Sequence, residues 1–463
     1  MRNVSISVAC AVLVAIGRAS AAVYIPIDLG TLGGHWTAVT AISRTGQVVG
    51  VADTPSRVGH AFRWTVTGGI QDLGTLPRRD SYAVAINDSG QVLVNLEHNT
   101  IADSAFLWTP AGGLQRLGGI PGADWSEGTA INNAGQIVGF SSSHAFLWTA
   151  ESGMRDLGAL DGDYSSASVI NDAGQVAGVV QAPSGQFHLF IWTVASGMRD
   201  VGSLNDSPGL PSLQVIAINR AGWVVGEAAV ADYQYHAFVW TPKRGMQDLG
   251  TLGGDSSFAT GINDAGEVIG ISSTADGHYR GFLWAAALGM QDLGAIGGIS
   301  SSANAINSSG LIVGTSSPGY ATLWTAPGVM QNLGPAFGEP GYSFATAIND
   351  AGSIIGQYDS DVDPGRAVLW RTLPQFAADF EALLAAQVAS GAIAPQLQRN
   401  LQKKLDAVAA ALESGDPNAA RTAANNLGAV VNEIRAQKSK KITQAAAGAL
   451  LSAAQPLIQA LNR

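Results

Sequence analysis

Cysteine is nearly absent from this 463-residue chain. The single one, Cys10, lies in an N-terminal segment expected to be removed, so the remainder has no disulfide, thiol nucleophile or Cys-ligated metal. Charge is also scarce, with Asp, Glu, Lys and Arg at 13%. What there is leans acidic: the net is −10, and 14 basic against 29 acidic residues leave −15 between residue 23 and Pro374. Such a body is a poor partner for nucleic acid, whose phosphates require cations. Beyond residue 22 no run of about 18 uninterrupted apolar residues occurs, so no membrane-spanning helix is expected. Pro is limited to 18 residues, while Gly reaches 57 and apolar residues 46%. That balance is unlike disorder and suits many short, closely stacked strands. A Gly-x-Ser-x-Gly elbow, a His-Glu-x-x-His zinc site and a Gly-rich phosphate loop are missing as well. Those gaps lean away from an enzyme without closing the question, because a site can also be assembled from single residues far apart in the chain.

Residues 1–22 read as a secretory signal peptide. Arg2 supplies the positive start, Val4 to Ile16 a short apolar stretch, and Ala19-Ser20-Ala21 a small-residue cleavage site. The protein is therefore expected to be secreted, extracellular or periplasmic. Ser7-Val8-Ala9 before Cys10 lacks the Leu that a lipoprotein signal would place there.

What is present is repetition. An Asp-Leu-Gly-like run recurs at Asp28, Asp72, Arg116, Asp156, Asp200, Asp248, Asp292 and Asn332. An Ala-Ile-Asn-like run has its Ile at 42, 86, 131, 170, 218, 262, 306 and 348. A Phe-Leu-Trp-like run has its Trp at 64, 108, 148, 192, 240, 284, 324 and 370. A period of about 44 residues is the size of a four-stranded propeller blade. In residues 257 to 293 the pattern predicts strands a (Ser257 to Ile262), b (Glu267 to Ser272), c (Gly281 to Trp284) and d (Met290 to Leu293). Asn-x-x-Gly, as in Asn263/Gly266, marks the a–b turn in seven of eight units, since Asn caps its own backbone and Gly accepts positive φ. Bulky Phe and Trp on strand c must meet a small surface, expected at Gly50 and its equivalents, with Asn95 breaking the rule in the second unit. The first Asp-Leu-Gly has no Trp run before it, and the last Trp run has no Asp-Leu-Gly after it. Val23 to Leu29 is therefore the missing outer strand of the eighth blade, expected beside Ala367 to Trp370. The fold class predicted is an eight-bladed β-propeller over 23–372 with a small C-terminal all-α bundle over 375–463.

The runs His60-Ala61-Phe62, His144-Ala145-Phe146 and His236-Ala237-Phe238 resemble the HAF family of extracellular bacterial repeats. That resemblance implies an exported, propeller-like protein and brings no catalytic residues. In the tail, Phe376, Phe380, Leu383, Leu384 and Val388 form a helical stripe, Pro395 starts a second helix, Asp416-Pro417 a third, and Ile442 to Leu461 line a fourth. Ala389 to Ile393, Leu405 to Asp416 and Ala436 to Ile442 are similar to the FIMAH domain, a helical module appended to exported bacterial proteins.

Repeated residues are expected to be scaffold. Strand-c His residues lie too far apart to share one ion, and each repeated Asp is expected to bond locally. Function is expected where the repeats differ, in the d–a and b–c loops that open on one face. Candidate ligand-binding residues there are Trp36, Trp125, Tyr164, Tyr233, Tyr235 and Tyr342, whose rings can stack on sugars or bury peptide side chains. Asp359, Asp361 and Asp363 space carboxylates as a Ca²⁺ loop would, although Gly365 is one place late for an EF-hand and Trp370 replaces its closing Glu. No other cofactor is expected. Loop carboxylates such as Asp80, Asp124, Glu127 and Asp163 leave a catalytic pair open. The leading reading is a monomeric binding protein for carbohydrate or protein at the cell exterior. The alternatives are a secreted polysaccharide hydrolase or lyase, and a structural matrix component.

Overall fold

The fold is given by a computed structural model that describes residues 22–76, 79–96, 104–205, 213–231, 234–334, 341–360, 365–413 and 419–461. All but the last residue of the expected signal peptide lies outside the described residues. So do Tyr233, Asp361, Asp363 and the Asp416-Pro417 helix start.

Strand β1 (Tyr24–Asp28) comes first. Strands β2 (Thr37–Ile42), β3 (Val48–Asp53), β4 (Gly59–Thr65) and β5 (Gly69–Gly74) then pair in that order as blade 1. Six further four-stranded sheets repeat the plan as far as β29 (Val329–Asn332). Blade 8 takes β30 (Tyr342–Ile348), β31 (Ile354–Asp359) and β32 (Arg366–Thr372) from the end of the repeats. Its fourth strand is β1, antiparallel to β32 with Tyr24 opposite Thr372 and Asp28 opposite Val368. The molecule is an eight-bladed propeller whose ring is closed by its own first strand. The closing pair keeps the register of the other blades, since Asp28 stands opposite Val368 as Asp72 stands opposite Phe62.

Close approach dictates where Gly stands. In blade 1 Gly50 pairs with Phe62 across β3 and β4, and a Cβ there would lie 1.9 Å from the Ala38 carbonyl oxygen and 2.9 Å from the Phe62 ring. The second unit solves the problem differently from expectation. Its equivalent of Gly50 is Val94, opposite Phe106. Asn95 next to it is buried and bonds the following blade both ways, donating to the Gly128 carbonyl at 2.9 Å and accepting from the Gly128 amide at 3.1 Å.

The two most visible motifs turn out to be partners. His60 Nδ1 meets Asp72 at 2.9 Å, and His144–Asp156, His188–Asp200 and His236–Asp248 repeat the pair between strands c and d. Asp72 also accepts the Gly74 amide at 2.7 Å, the local bond expected of it. In blade 2 the polarity is reversed, with Arg116 Nε donating to Ser104 at 2.9 Å. At the closing seam Arg366 pairs with Asp28, so the latch uses the same c–d clasp with Arg in place of His.

Four helices follow: α1 (Leu373–Ala389), α2 (Pro395–Glu413), α3 (Ala419–Gln437) and α4 (Gln444–Leu461). Phe376, Phe380, Leu384, Leu401, Leu427 and Leu450 form their core, and Ile25 of β1 is buried in that same core. Ile442, expected in the fourth helix, precedes it and bridges to Ile393 instead. Arg371 of β32 pairs with Asp379 of α1 at 2.9 Å and donates to Ser353 at 2.7 Å. Burial pushes the Asp379 carboxyl up against the opposing pull of Arg371. Among the described residues no helix is long and apolar enough to cross a membrane.

Candidate functional site

The eight a–b turns converge on the propeller axis, where they enclose a polar mouth of about 380 Å³. The Asn of each turn builds its wall. Asn132 Oδ1 accepts its own turn's amides from Ala134 at 3.1 Å and Gln136 at 2.9 Å, as an Asx turn should. Its Nδ2 reaches out of the turn and donates to the Asn171 carbonyl of the next blade at 3.0 Å. The same bond runs from Asn87 to Asn132, Asn171 to Asn219, Asn219 to Asn263, Asn263 to Asn307, Asn307 to Asn349 and Asn349 to Ser43. Only the Ser43 step lacks an amide to continue it. A motif that the sequence offers as a local turn is thus also an inter-blade hoop. Each bond joins neighbouring blades, a whole repeat apart or, for Asn349 to Ser43, across the closure, so no short-range pattern announces it.

The residue after each Asn or Ser faces the mouth. Around the ring these are Arg44, Asp88, Asn133, Asp172, Arg220, Asp264, Ser308 and Asp350. Carboxylates stand on every second blade, and the two Arg residues stand four blades apart. Arg44 lies 3.5 Å from Asp88, 3.6 Å from Asp350 and 4.0 Å from Asp172, while Arg220 lies 3.7 Å from Asp264. Burial pulls the Asp172 carboxyl upward, but the Asn133 amides and the Arg44 and Arg220 charges outweigh it and hold the group below its ordinary value. The Ser308 side chain, against a smaller burial effect, holds Asp350 below its ordinary value too, with help from the same two Arg residues. Four carboxylates against two guanidinium groups leave the mouth mildly anionic. Among the described residues no three His, Cys, Asp or Glu side chains converge as metal ligands.

The sequence-predicted aromatics lie at the opposite end of the blades, and they fall into two groups. Trp125 packs edge-on against Phe140 at 5.6 Å, Tyr164 against Phe187 at 5.7 Å, and Tyr235 stacks on Phe258 at 6.4 Å. Trp36 and Tyr342 remain 39% and 58% exposed. Trp36 lies over Gly365, where a Cβ would come within 1.9 Å of its ring, so blades 8 and 1 share that surface at the closing seam. Tyr358 is in β31 and fully buried in the core. Asp359 accepts the Gly365 amide at 2.6 Å. The basic residues of the tail are partly engaged, Lys404 pairing with Glu433 at 2.9 Å.

Fold and geometry define an eight-bladed β-propeller with a C-terminal helical module. Residues 377–459 of that module match the FIMAH domain family. No curated protein matches the chain. Among solved structures the chain is distantly similar to TolB from Acinetobacter baumannii, at 12% identity and TM-score 0.35, over 53% of this chain and 61% of that one. It is similar to a puromycin hydrolase at 13% identity and TM-score 0.42, over 74% of this chain and 54% of that one. The Aleuria aurantia lectin in complex with Fucα1-6GlcNAc is similar at 11% identity and TM-score 0.30, over 57% of this chain and 96% of the lectin. The chain thus spans less than two thirds of the length of the first two.

Proposed function

We propose that this protein is an exported binding protein that uses the variable-loop face of its propeller to hold carbohydrate or protein at the cell exterior. The observation that carries this reading is the pair of half-exposed rings on the loop face, Trp36 at 39% on blade 1 and Tyr342 at 58% on blade 8. Large aromatic faces left open to water on a fixed scaffold are what sugar-stacking and interface anchors require. Export rests on the Arg2 to Ala21 pattern and on the HAF-like repeats. The test is a glycan and protein binding screen with the full chain, repeated with Trp36→Ala and Tyr342→Ala together. A ligand whose affinity falls about tenfold or more in the double variant supports the assignment. A ligand held equally by both forms places recognition elsewhere.

A further inference from the structure

Repetition supplies an internal control, because a blade that departs from its seven siblings does so against a fixed background. Seven blades carry a small, polar or aliphatic residue immediately after the a–b turn Gly, most often Gln, as in Gln47, Gln91, Gln136 and Gln175. Where Gln or Glu stands there, it accepts from the hoop Asn in four blades: Gln91 at 2.7 Å, Gln136 at 2.8 Å, Gln175 at 2.8 Å and Glu267 at 2.6 Å. Blade 5 carries Trp223 instead. Its ring lies over the turn of blade 6, where a Cβ on Gly266 would come within 2.4 Å of it.

A second departure faces the first. The strand-c Trp is buried in six blades and partly exposed in Trp240 and Trp284. In two blades the preceding blade covers it with a cation: Arg63 lies 5.5 Å from the Trp108 ring and Arg155 lies 5.3 Å from the Trp192 ring. Before Trp284 those two places hold Val239 and Gln247. An inter-blade pocket of about 370 Å³ lies between Trp223 and Trp284, on the a–b turn face. Its wall is mostly apolar, and its size falls in the usual small-ligand range.

The third departure is charge. Lys243 and Arg244 form the c–d turn at the rim of this pocket, and both are exposed. Lys243 is the only Lys before residue 403. Two adjacent cations on so acidic a body, beside two indole faces, call for a ligand with flat apolar faces and an anionic substituent. A sugar ring bearing a carboxylate has both: its C–H face stacks on indole while its carboxylate meets Lys243 and the Arg244 fork.

We propose that the crevice between blades 5 and 6 binds an acidic polysaccharide, one uronate unit entering between Trp223 and Trp284 with its carboxylate at Lys243 and Arg244. This site lies on the opposite face from Trp36 and Tyr342 and is independent of them.

The probe is tetragalacturonate, titrated calorimetrically into the full chain, with its methyl ester and a hepta-glutamate peptide as comparisons. The expected result is binding of tetragalacturonate, with the ester and the peptide each at least about tenfold weaker. Trp223→Gln, which installs the residue most other blades use, is expected to weaken binding about tenfold. Lys243→Gln with Arg244→Gln is expected to weaken it several-fold and to abolish its salt dependence. Circular dichroism melts confirm that each variant is folded. Trp36→Ala with Tyr342→Ala should leave this binding unchanged. No heat with tetragalacturonate, equal binding of hepta-glutamate, or full affinity in folded Trp223→Gln would each overturn the proposal.

Discussion

Ser43 breaks the hoop of Asn side chains, and that makes it the most instructive residue in the ring. It accepts the Gln47 amide at 3.1 Å but has no amide to offer the Asn87 carbonyl, which every other hoop position offers its neighbour. Ser43→Asn is expected to complete the hoop and add about 1 kcal/mol of stability, read as a higher urea midpoint. Asn132→Ala removes the bond donated to the Asn171 carbonyl and the two that its Oδ1 accepts from its own turn, leaving buried groups unpaired, so it should cost about 1–3 kcal/mol in the same assay. The charges inside the hoop add a pH dependence. Asp172 and Asp350 titrate below their ordinary value in the folded state. Their contribution is therefore complete above the unfolded carboxylate pKa of about 3.9 and is lost as pH falls through the lower folded values. Urea midpoints measured from pH 6 down to pH 3 should fall less steeply in Asp172→Asn than in the wild type; parallel curves would contradict the assignment.

At the scale of the strand, closure is the testable feature. β1 supplies the fourth strand of blade 8, and Ile25 projects from it into the helical core with none of its surface exposed. Ile25→Ala should cost about 2–5 kcal/mol, the range for emptying a well-packed aliphatic site. Removing residues 23–30 should cost more, because it also opens the edge of β32 and the Arg366–Asp28 clasp. The closure could be read in the sequence because an offset of motif phase is a one-dimensional fact. The clasp could have been: His60 to Asp72, His144 to Asp156, His188 to Asp200 and His236 to Asp248 are all separated by 12 residues. Constant spacing across a c–d hairpin is a pairing signal, masked because each motif has a sufficient local explanation. The hoop and the Trp223 crevice could not be read this way. Both form between blades, at distances fixed by ring curvature rather than by chain separation. The same limit applies to the loop aromatics: Trp125 and Trp36 occupy the same place in their repeats, yet Phe140 receives one ring while the other lies exposed over Gly365.

At the scale of the whole molecule, the helices and the propeller share one core across the point where the ring closes. Ile25 is packed by Phe376, Phe380 and their neighbours, and Ile27 lies partly buried against the same cluster. Arg371, only 8% exposed, pairs with Asp379 of α1, and its guanidinium also lies against blade 1, where a Cβ on Gly46 would meet it at 2.7 Å. One side chain thus touches blade 8, blade 1 and the first helix. A ring closed by hydrogen bonds alone can open at its latch, and a module packed over the latch raises the cost of that opening. Truncation after Thr372 strips the cover from Ile25 and leaves Arg371 as a poorly hydrated cation without its carboxylate. Losing one partner of a buried ion pair costs about 3–5 kcal/mol by itself. The truncated chain is expected to unfold at a clearly lower denaturant midpoint than the full chain, with Asp379→Ala falling between them. Hydrogen exchange should show the difference concentrated in β1 and β32 rather than spread over all eight blades. A truncated propeller with an unchanged midpoint and full protection of β1 would mean that the helices merely rest on the ring.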